Sequence, residues 1–418
     1  MPIVLNMVSG LLLAVSTVFA LVHLLLGIRF VQRVSNYRGR SLSDDECPSA
    51  LVVLCIRGAD PFLERCLQSL FRQNYPRYEV RIVVDSTDDP GWGMVHELIG
   101  RMGVSHVSVR ALTDRRPNCS LKCSSQLQAL QNLQPQHELI AFLDADTVPH
   151  PSWIRELAAA LQDPQVGAAT GGRWYLPSSP SPGAIVRLLW NMPAQVIMAL
   201  VNIAWGGTLA FRRETFDRLR IVDRWGGALC EDTMTADVLR EHGLKMKFVP
   251  SLLMINREDS SFRSVCYWIS RQLINTRLYH SFWWFVIAHG STIFLIVYGG
   301  ALLAGVAAAL GDATAARRAL LAVVVLQAAL LSLFVWLQFW VNKVLRRRGE
   351  EANWGSAVVW LTIPFWVVIA QAVNFWALLR AQFSRTVEWR GIIYKIQSPF
   401  AIQIVEESQI TATRTHSL

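Results

Sequence analysis

The chain has 418 residues, 52% of them hydrophobic and 17% charged, with 16 Trp and a formal net charge of +9. With a mean hydropathy of +0.30, it is too apolar to be two soluble domains, the other arrangement its length would allow. The basic balance does not indicate nucleic acid, because Arg crowds the ends of apolar runs (Arg29, Arg33, Arg38, Arg40; Arg346, Arg347, Arg348), where cytosolic membrane flanks carry it. Seven cysteines, an odd number with no CxxC pair, indicate neither a disulfide framework nor a zinc site and fit a reducing cytosolic setting.

Taken in chain order, residues 3–28 are nearly uncharged and long enough to cross a hydrocarbon core of roughly 30 Å. They lack the basic start and cleavage site of a signal peptide, so residues 1–28 read as a retained transmembrane anchor. Residues 29–47, basic then acidic, read as a linker. Residues 48–281 read as a soluble α/β domain. Strand-like runs at Ala50–Ile56, Val80–Val84 and Leu139–Leu143 alternate with amphipathic stretches such as Pro61–Arg72, a pattern that predicts a mostly parallel sheet covered by helices on both faces. Within it, residues 184–204 are apolar but interrupted by Arg187, Asn191, Pro193, Gln195 and Asn202, which suits an interfacial helix better than a span. Residues 282–382 hold three further apolar segments, at 283–310, 319–342 and 356–379. Residues 383–418 form a tail, polar and frayed from 402 onward.

The Arg bias orients the chain, with the N-terminus outside and residues 29–281 inside, so the α/β domain is expected to be cytosolic. That means the plasma membrane in a bacterium, and the Golgi or endoplasmic reticulum in a eukaryote. The C-terminus is in conflict. A full span at 356–379 puts the tail outside, whereas Arg380, Arg385, Arg390 and Lys395 favour the inside. Pro364 allows a re-entrant or broken segment.

Three acidic groups carry chemistry. In Phe142-Leu-Asp-Ala-Asp-Thr-Val-Pro149 a buried strand ends in Asp144 and Asp146, placed to face one divalent ion, Mg²⁺ or Mn²⁺, together with phosphate oxygens; an acidic helix cap is the plain alternative. In Arg81-Ile-Val-Val-Asp85-Ser-Thr-Asp88-Asp89-Pro90, Asp85 or Asp88 can accept hydrogen bonds from a nucleotide base or ribose, or can close a turn before Pro90. Cys230-Glu231-Asp232-Thr233 opens a helix continuing through Met234–His242. Its carboxylates serve the helix dipole or act as a general base towards an acceptor hydroxyl. Upstream, Trp205-Gly-Gly-Thr208 offers a backbone that a sugar can approach.

The order Asp85/Asp88, Asp144-x-Asp146, Gly206-Gly207-Thr208, Glu231-Asp232 resembles inverting family-2-type glycosyltransferases with the Rossmann-like GT-A fold. Further matches bring it closest to ceramide glucosyltransferase and related bacterial lipid hexosyltransferases: the N-terminal anchor, Arg57-Gly-Ala-Asp60-Pro61, Asp88-Asp89-Pro90, Lys122, Ser270-Arg271, and Trp389-Arg390-Gly391 near Tyr394. The resemblance spans about residues 1–397. It implies that Asp85 or Asp88 holds uridine, Lys122 meets the diphosphate, Asp144 and Asp146 hold the metal, and Asp232 is the base, with Glu231 beside the substrate. Arg271 and Arg277 can meet the diphosphate or can be interfacial cations. Trp389 and Arg390 close over the nucleotide or anchor the chain at the headgroups. One departure stands out: Ile274-Asn275 replaces the Arg-Trp pair of the QxxRW-type motif in many relatives, which weakens a polysaccharide-synthase reading. The expected activity is transfer of one hexose from a UDP-glucose-like donor, with inversion, to a hydroxyl of a ceramide- or glycerolipid-like acceptor. The rivals are a processive polysaccharide synthase and a non-catalytic nucleotide-sugar-binding membrane protein.

Overall fold

The computed structural model describes residues 2–37, 39–350, 355 and 357–408. Arg38, position 356 of the third C-terminal apolar segment and residues 409–418 of the predicted tail therefore lie outside the described residues. The first helix, α1 (Pro2–Ser35), runs on into the start of the predicted linker, as far as Ser35. A seven-stranded sheet follows, interleaved with helices: β1 (Ala50–Ile56), α2 (Leu63–Leu70), β2 (Tyr78–Val84), α3 (Pro90–Met102), β3 (Val107–Ala111), α4 (Leu121–Ala129), β4 (Leu139–Asp144), α5 (Trp153–Ala160) and β5 (Val166–Tyr175). The second half of this domain contains α6 (Pro182–Val201), β6 (Thr208–Arg212), α7 (Arg213–Leu219), α8 (Ile221–Trp225), α9 (Thr235–Glu241), β7 (Lys245–Asn256) and α10 (Phe262–Tyr279).

The strand order is β3-β2-β1-β4-β6-β5-β7. Pairing is parallel except at β6, which runs antiparallel to both β4 and β5. Strands covered on both faces need apolar side chains at every position, which is why β1 and β4 read as unbroken apolar runs. Their period of two divides the core. Leu51, Val53, Ile140 and Phe142 face α4 and α6, while Val52, Leu54, Ala141 and Leu143 face α2 and α5.

The C-terminal part holds α11 (Trp283–Phe294), a π-helical turn (Leu295–Gly299), α12 (Gly300–Ala309), α13 (Ala313–Arg347) and α14 (Ala357–Phe383). Among the described residues, five helical stretches are long and apolar enough to cross a membrane: α1, α6, α11 through α12, α13, and Val358–Phe383 of α14. The stretch read as interfacial is one of them, a single helix with Pro193 inside it. It is also much more enclosed by protein than the other four, with 61% of its apolar window buried.

The described tail is not frayed. β8 (Thr386–Trp389), β9 (Ile392–Ser398) and β10 (Ala401–Glu407) form an antiparallel sheet. It packs on the catalytic domain through Tyr394, whose hydroxyl accepts from the Leu121 N–H at 3.3 Å, and through the ion pair of Arg390 with Asp60 at 2.6 Å. Buried Ile402 and half-buried Ile404 share one face of β10, which pairs antiparallel with β9. The tail sheet thus lies against the α/β domain, and α14 runs unbroken through Pro364.

Candidate active site

At the carboxyl edge of the sheet lies a polar cavity of about 150 Å³. β4 delivers Asp144 and the following turn delivers Asp146. Asp144 accepts from Lys122 Nζ at 2.6 Å, and the same ammonium lies 2.7 Å from Glu231. Lys122 thus bridges two carboxylates at the start of α4 rather than sitting in a solvated stretch. Burial alone would lower its pKa, but Asp144 and Glu231 hold it well above the usual lysine range. Burial pushes the Glu231 carboxyl up. Burial would raise the Asp144 carboxyl, but Lys122, with Arg173 and Arg390, holds it below its ordinary value.

Asp146 pairs with Arg173 at 2.8 Å through Oδ2, while its buried Oδ1 has no hydrogen-bond partner among the described residues. Arg173 lies over the rings of Trp205 and Tyr175, with its guanidinium carbon 5.1 and 5.2 Å from their centroids. Sequence reasoning missed Arg173, although a lone cation in the otherwise apolar run Val166–Tyr175 was a visible signal.

Asp232 lines this cavity and accepts from the Gly206 N–H at 2.7 Å and the Thr233 hydroxyl at 3.0 Å. It lies three residues ahead of α9, in a turn, so these two donors rather than the expected helix start fix its position. Gly206 is required here: a Cβ on it would sit 2.5 Å from Glu231 and 3.0 Å from Asp232.

Asp85 is brought to the cavity and Asp88 is not. Asp88 is exposed in the turn, while its neighbour Asp89 caps α3 by accepting from Gly91 N and Gly58 N. Asp85 accepts from Arg57 and, at 2.8 Å, from Arg115. Both arginines also hold Glu407 at the end of β10, at 3.0 and 2.9 Å. Arg115 and Glu407 escaped the sequence reading, because nothing local in the chain pairs them. Exposed pairs of this kind contribute about 0.2–1 kcal/mol. Glu407→Gln should therefore speed amide exchange in β10 by about two- to fivefold, read by hydrogen–deuterium exchange. An unchanged rate would mean that β9 alone pins the strand.

Helix α10 presents Trp268, Arg271, Gln272 and Asn275 along one face to the cavity, as spacings of three and four dictate. Arg277 lies two residues past Asn275, roughly 200° around a helix of about 3.6 residues per turn, and does not reach the cavity. It donates instead to the Gln382 carbonyl at 2.8 Å. Ile274 is buried in the core, so only Asn275 of the departing pair meets the site. Arg271 lies over Trp389, 5.0 Å from its ring centroid, and has no ion-pair partner among the described residues. Burial and the nearby Arg390 and Arg173 push its pKa down to about 10, so it remains a cation short of countercharge. Trp389 and Arg390 both line the cavity, and Arg390 also donates to the Arg57 carbonyl at 2.6 Å.

A second cavity, of about 290 Å³ and mostly apolar, lies between α1, α6, α10, α11, α13 and α14. Asp232 lines this one as well.

A sheet of this topology with an acidic strand end, set among apolar helices, is a GT-A glycosyltransferase fold joined to a membrane bundle. The solved mannosyltransferase PcManGT of Pyrobaculum calidifontis shares the fold, with a TM-score of 0.52 and 17% identity over 91% of this chain and 99% of that one. The chain belongs to glycosyl transferase family 21, whose family model matches residues 10–402. It is also similar to ceramide glucosyltransferases of Komagataella phaffii (47% identity over 57 residues) and Candida albicans (33% over 101 residues). Those matches cover 14% and 23% of this chain, and 11% and 18% of the two yeast enzymes.

Proposed function

We propose that this glycosyltransferase moves one hexose, with inversion, from a UDP-glucose-like nucleotide sugar to a hydroxyl of a ceramide- or glycerolipid-like membrane lipid. The observation that carries the reading is Asp232, which lines both the polar cavity and the apolar cavity between the membrane helices. A lipid in the apolar cavity brings its hydroxyl to Asp232, and a donor in the polar cavity brings its anomeric carbon. Asp232 removes the hydroxyl proton as the new C–O bond forms and the bond to the diphosphate breaks. Lys122, Arg271 and Arg390 meet the charge that grows on the departing diphosphate. Asp85 holds the uridine.

Asp144 and Asp146 are the residues that would hold Mg²⁺ or Mn²⁺. The unpartnered Asp146 Oδ1 fits a hard cation. No group of three His, Cys, Asp or Glu is placed for a metal among the described residues, so diphosphate oxygens and water complete the ligand set. When bound, such an ion supplies countercharge for the diphosphate. The mannosyltransferase of the same fold was solved with GDP-Man and Mn²⁺, which supports this choice. The catalytic side is cytosolic, on the plasma membrane of a bacterium or the Golgi or endoplasmic reticulum of a eukaryote. Nucleic acid is not a partner.

Expression in a host of simple lipid composition, followed by mass spectrometry of extracted lipids, tests the reading. A lipid carrying one hexose, with its anomeric centre inverted by NMR, is expected. A polymer, or no glycosylated lipid with any donor, would overturn it.

A further inference from the structure

Where α10 packs against α14, the outward side of the pair carries a linked cluster of two arginines and two aromatic rings. Tyr267 and Trp376 meet edge to face with ring centroids 6.0 Å apart. The Arg380 guanidinium carbon lies 4.6 Å from the Tyr267 centroid and 5.7 Å from that of Trp376, and the Arg263 carbon lies 5.9 Å from the same tyrosine ring. The two rings are 44% and 42% exposed, and both arginines are exposed as well. The other side of the pair faces inward: Asn374, two residues and roughly 200° around the helix from Trp376, lines the apolar cavity, as does Trp268.

Two cations thus share one tyrosine ring, and neither guanidinium has a carboxylate or hydrogen-bond partner among the described residues. A ring face attracts a cation but carries no net charge, so the cluster is left short of an anion. Its place in the fold says which anion. Trp376 and Arg380 stand in the last two turns of the apolar stretch Val358–Phe383, and β8 of the tail sheet begins at Thr386. The cluster therefore sits at headgroup depth, where the span ends. Exposed Leu379 and Phe383 flank Arg380 on the same helix and offer acyl chains an apolar surface. A soluble anion has no use for that surface, and a zwitterionic headgroup brings its own cation.

We propose that Arg263, Tyr267, Trp376 and Arg380 form a binding site for the headgroup phosphate of an anionic glycerophospholipid. Exposed on the ring, each guanidinium is free to turn its N–H donors to phosphate oxygens, the geometry in which arginine binds phosphate best. The site lies apart from both cavities, and the inference does not rest on the proposed function. Helix α10 nevertheless joins the two places, because the same rigid element carries Arg263 and Tyr267 outward and Trp268, Arg271, Gln272 and Asn275 to the polar cavity. A bound headgroup steadies the helix that walls the reaction site.

Native mass spectrometry of the full chain in detergent, titrated with phosphatidylglycerol or phosphatidylcholine of identical acyl chains, reads the site. Wild type should bind the anionic lipid roughly 25-fold more tightly, about fivefold for each arginine. Arg263→Gln and Arg380→Gln should each lose about fivefold of that preference. Tyr267→Leu changes no charge but removes the ring that both cations lie over, and should cost a comparable factor. Replacing Arg346 and Arg347 together by Gln removes two exposed charges from the end of α13 and should leave the preference as it is. An unchanged melting temperature in phosphatidylcholine nanodiscs certifies that each variant is folded. Equal affinity of wild type for the two lipids, or a preference retained in the arginine variants or in Tyr267→Leu, would overturn the proposal. So would an equal loss in the α13 variant, which would mean diffuse attraction to a basic protein. Displacement of the lipid by millimolar inorganic phosphate would also overturn it, by giving the cluster to a soluble anion.

Discussion

Asp232→Asn should lower sugar transfer by at least about 10²-fold, within the usual range for a general base, while donor binding stays nearly unchanged. The substitution keeps the shape and removes the basicity. The amide can also retain an acceptor oxygen towards the Gly206 N–H, which donates to Asp232 at 2.7 Å, so the loop should hold its form. Single-turnover kinetics beside donor titration separates the two effects. Glu231→Gln should hurt transfer less, for a reason that the structure makes specific. Glu231 is fully buried against Lys122 and Gln126, and Asp232 alone of the two lines both cavities. The Glu231 change should therefore appear mainly in donor affinity and stability, through Lys122. Retained transfer in Asp232→Asn, or a larger transfer loss in Glu231→Gln, would move the base elsewhere.

Asp144→Ala and Asp146→Ala should each abolish metal-dependent binding of the nucleotide sugar while the chain stays folded. Each removes a hard oxygen ligand from a site that must also accept diphosphate charge. Calorimetry with and without Mn²⁺ reads the effect directly. The two variants should differ in what they leave behind. Without Asp144, Lys122 keeps Glu231 as a partner at 2.7 Å. Without Asp146, Arg173 loses its one ion-pair partner among the described residues, although it still lies over Trp205 and Tyr175. Asp146→Ala should therefore be the less stable of the two by thermal unfolding. Unchanged metal-dependent affinity in both variants would falsify the assignment.

The sequence showed the catalytic core where one physical cause governed each position. Strands buried on both faces have no choice but to be apolar, so β1 and β4 appeared as runs and β2 as a run interrupted by Arg81, with the carboxylates Asp85, Asp144 and Asp146 at or just past their ends. The reversed direction of β6 left no such mark, because Thr208–Arg212 is equally apolar in either sense. Asp88 and Arg277 stayed open between two roles because composition does not say which way a side chain points. The register of a turn sent Asp89 inward instead of Asp88, and two residues of helical rotation carried Arg277 away. The tail was hardest to read. Strand β10 is held by Arg57 and Arg115, hundreds of residues earlier, and a polar ending looks the same whether paired or free. The apolar cavity had no local signature at all, since six helices from opposite ends of the chain line it.

Helices α1 and α13 have 34 and 35 residues, about 50 Å at roughly 1.5 Å per residue, against a hydrocarbon layer of about 30 Å. Their surplus length does not dangle. Phe30 meets Phe248 with ring centroids 6.3 Å apart, Arg33 donates to the Ala199 carbonyl at 2.6 Å, and Arg348, just past α13, donates to the Leu253 carbonyl at 2.9 Å. The pair acts as a ruler with the reaction centre fixed at one mark, where a flexible tether would let it float. Bilayer thickness then becomes an input to the enzyme. A membrane thicker or thinner than the ruler must tilt these helices or deform around them, and under the proposed function either response changes the depth at which the acceptor is met.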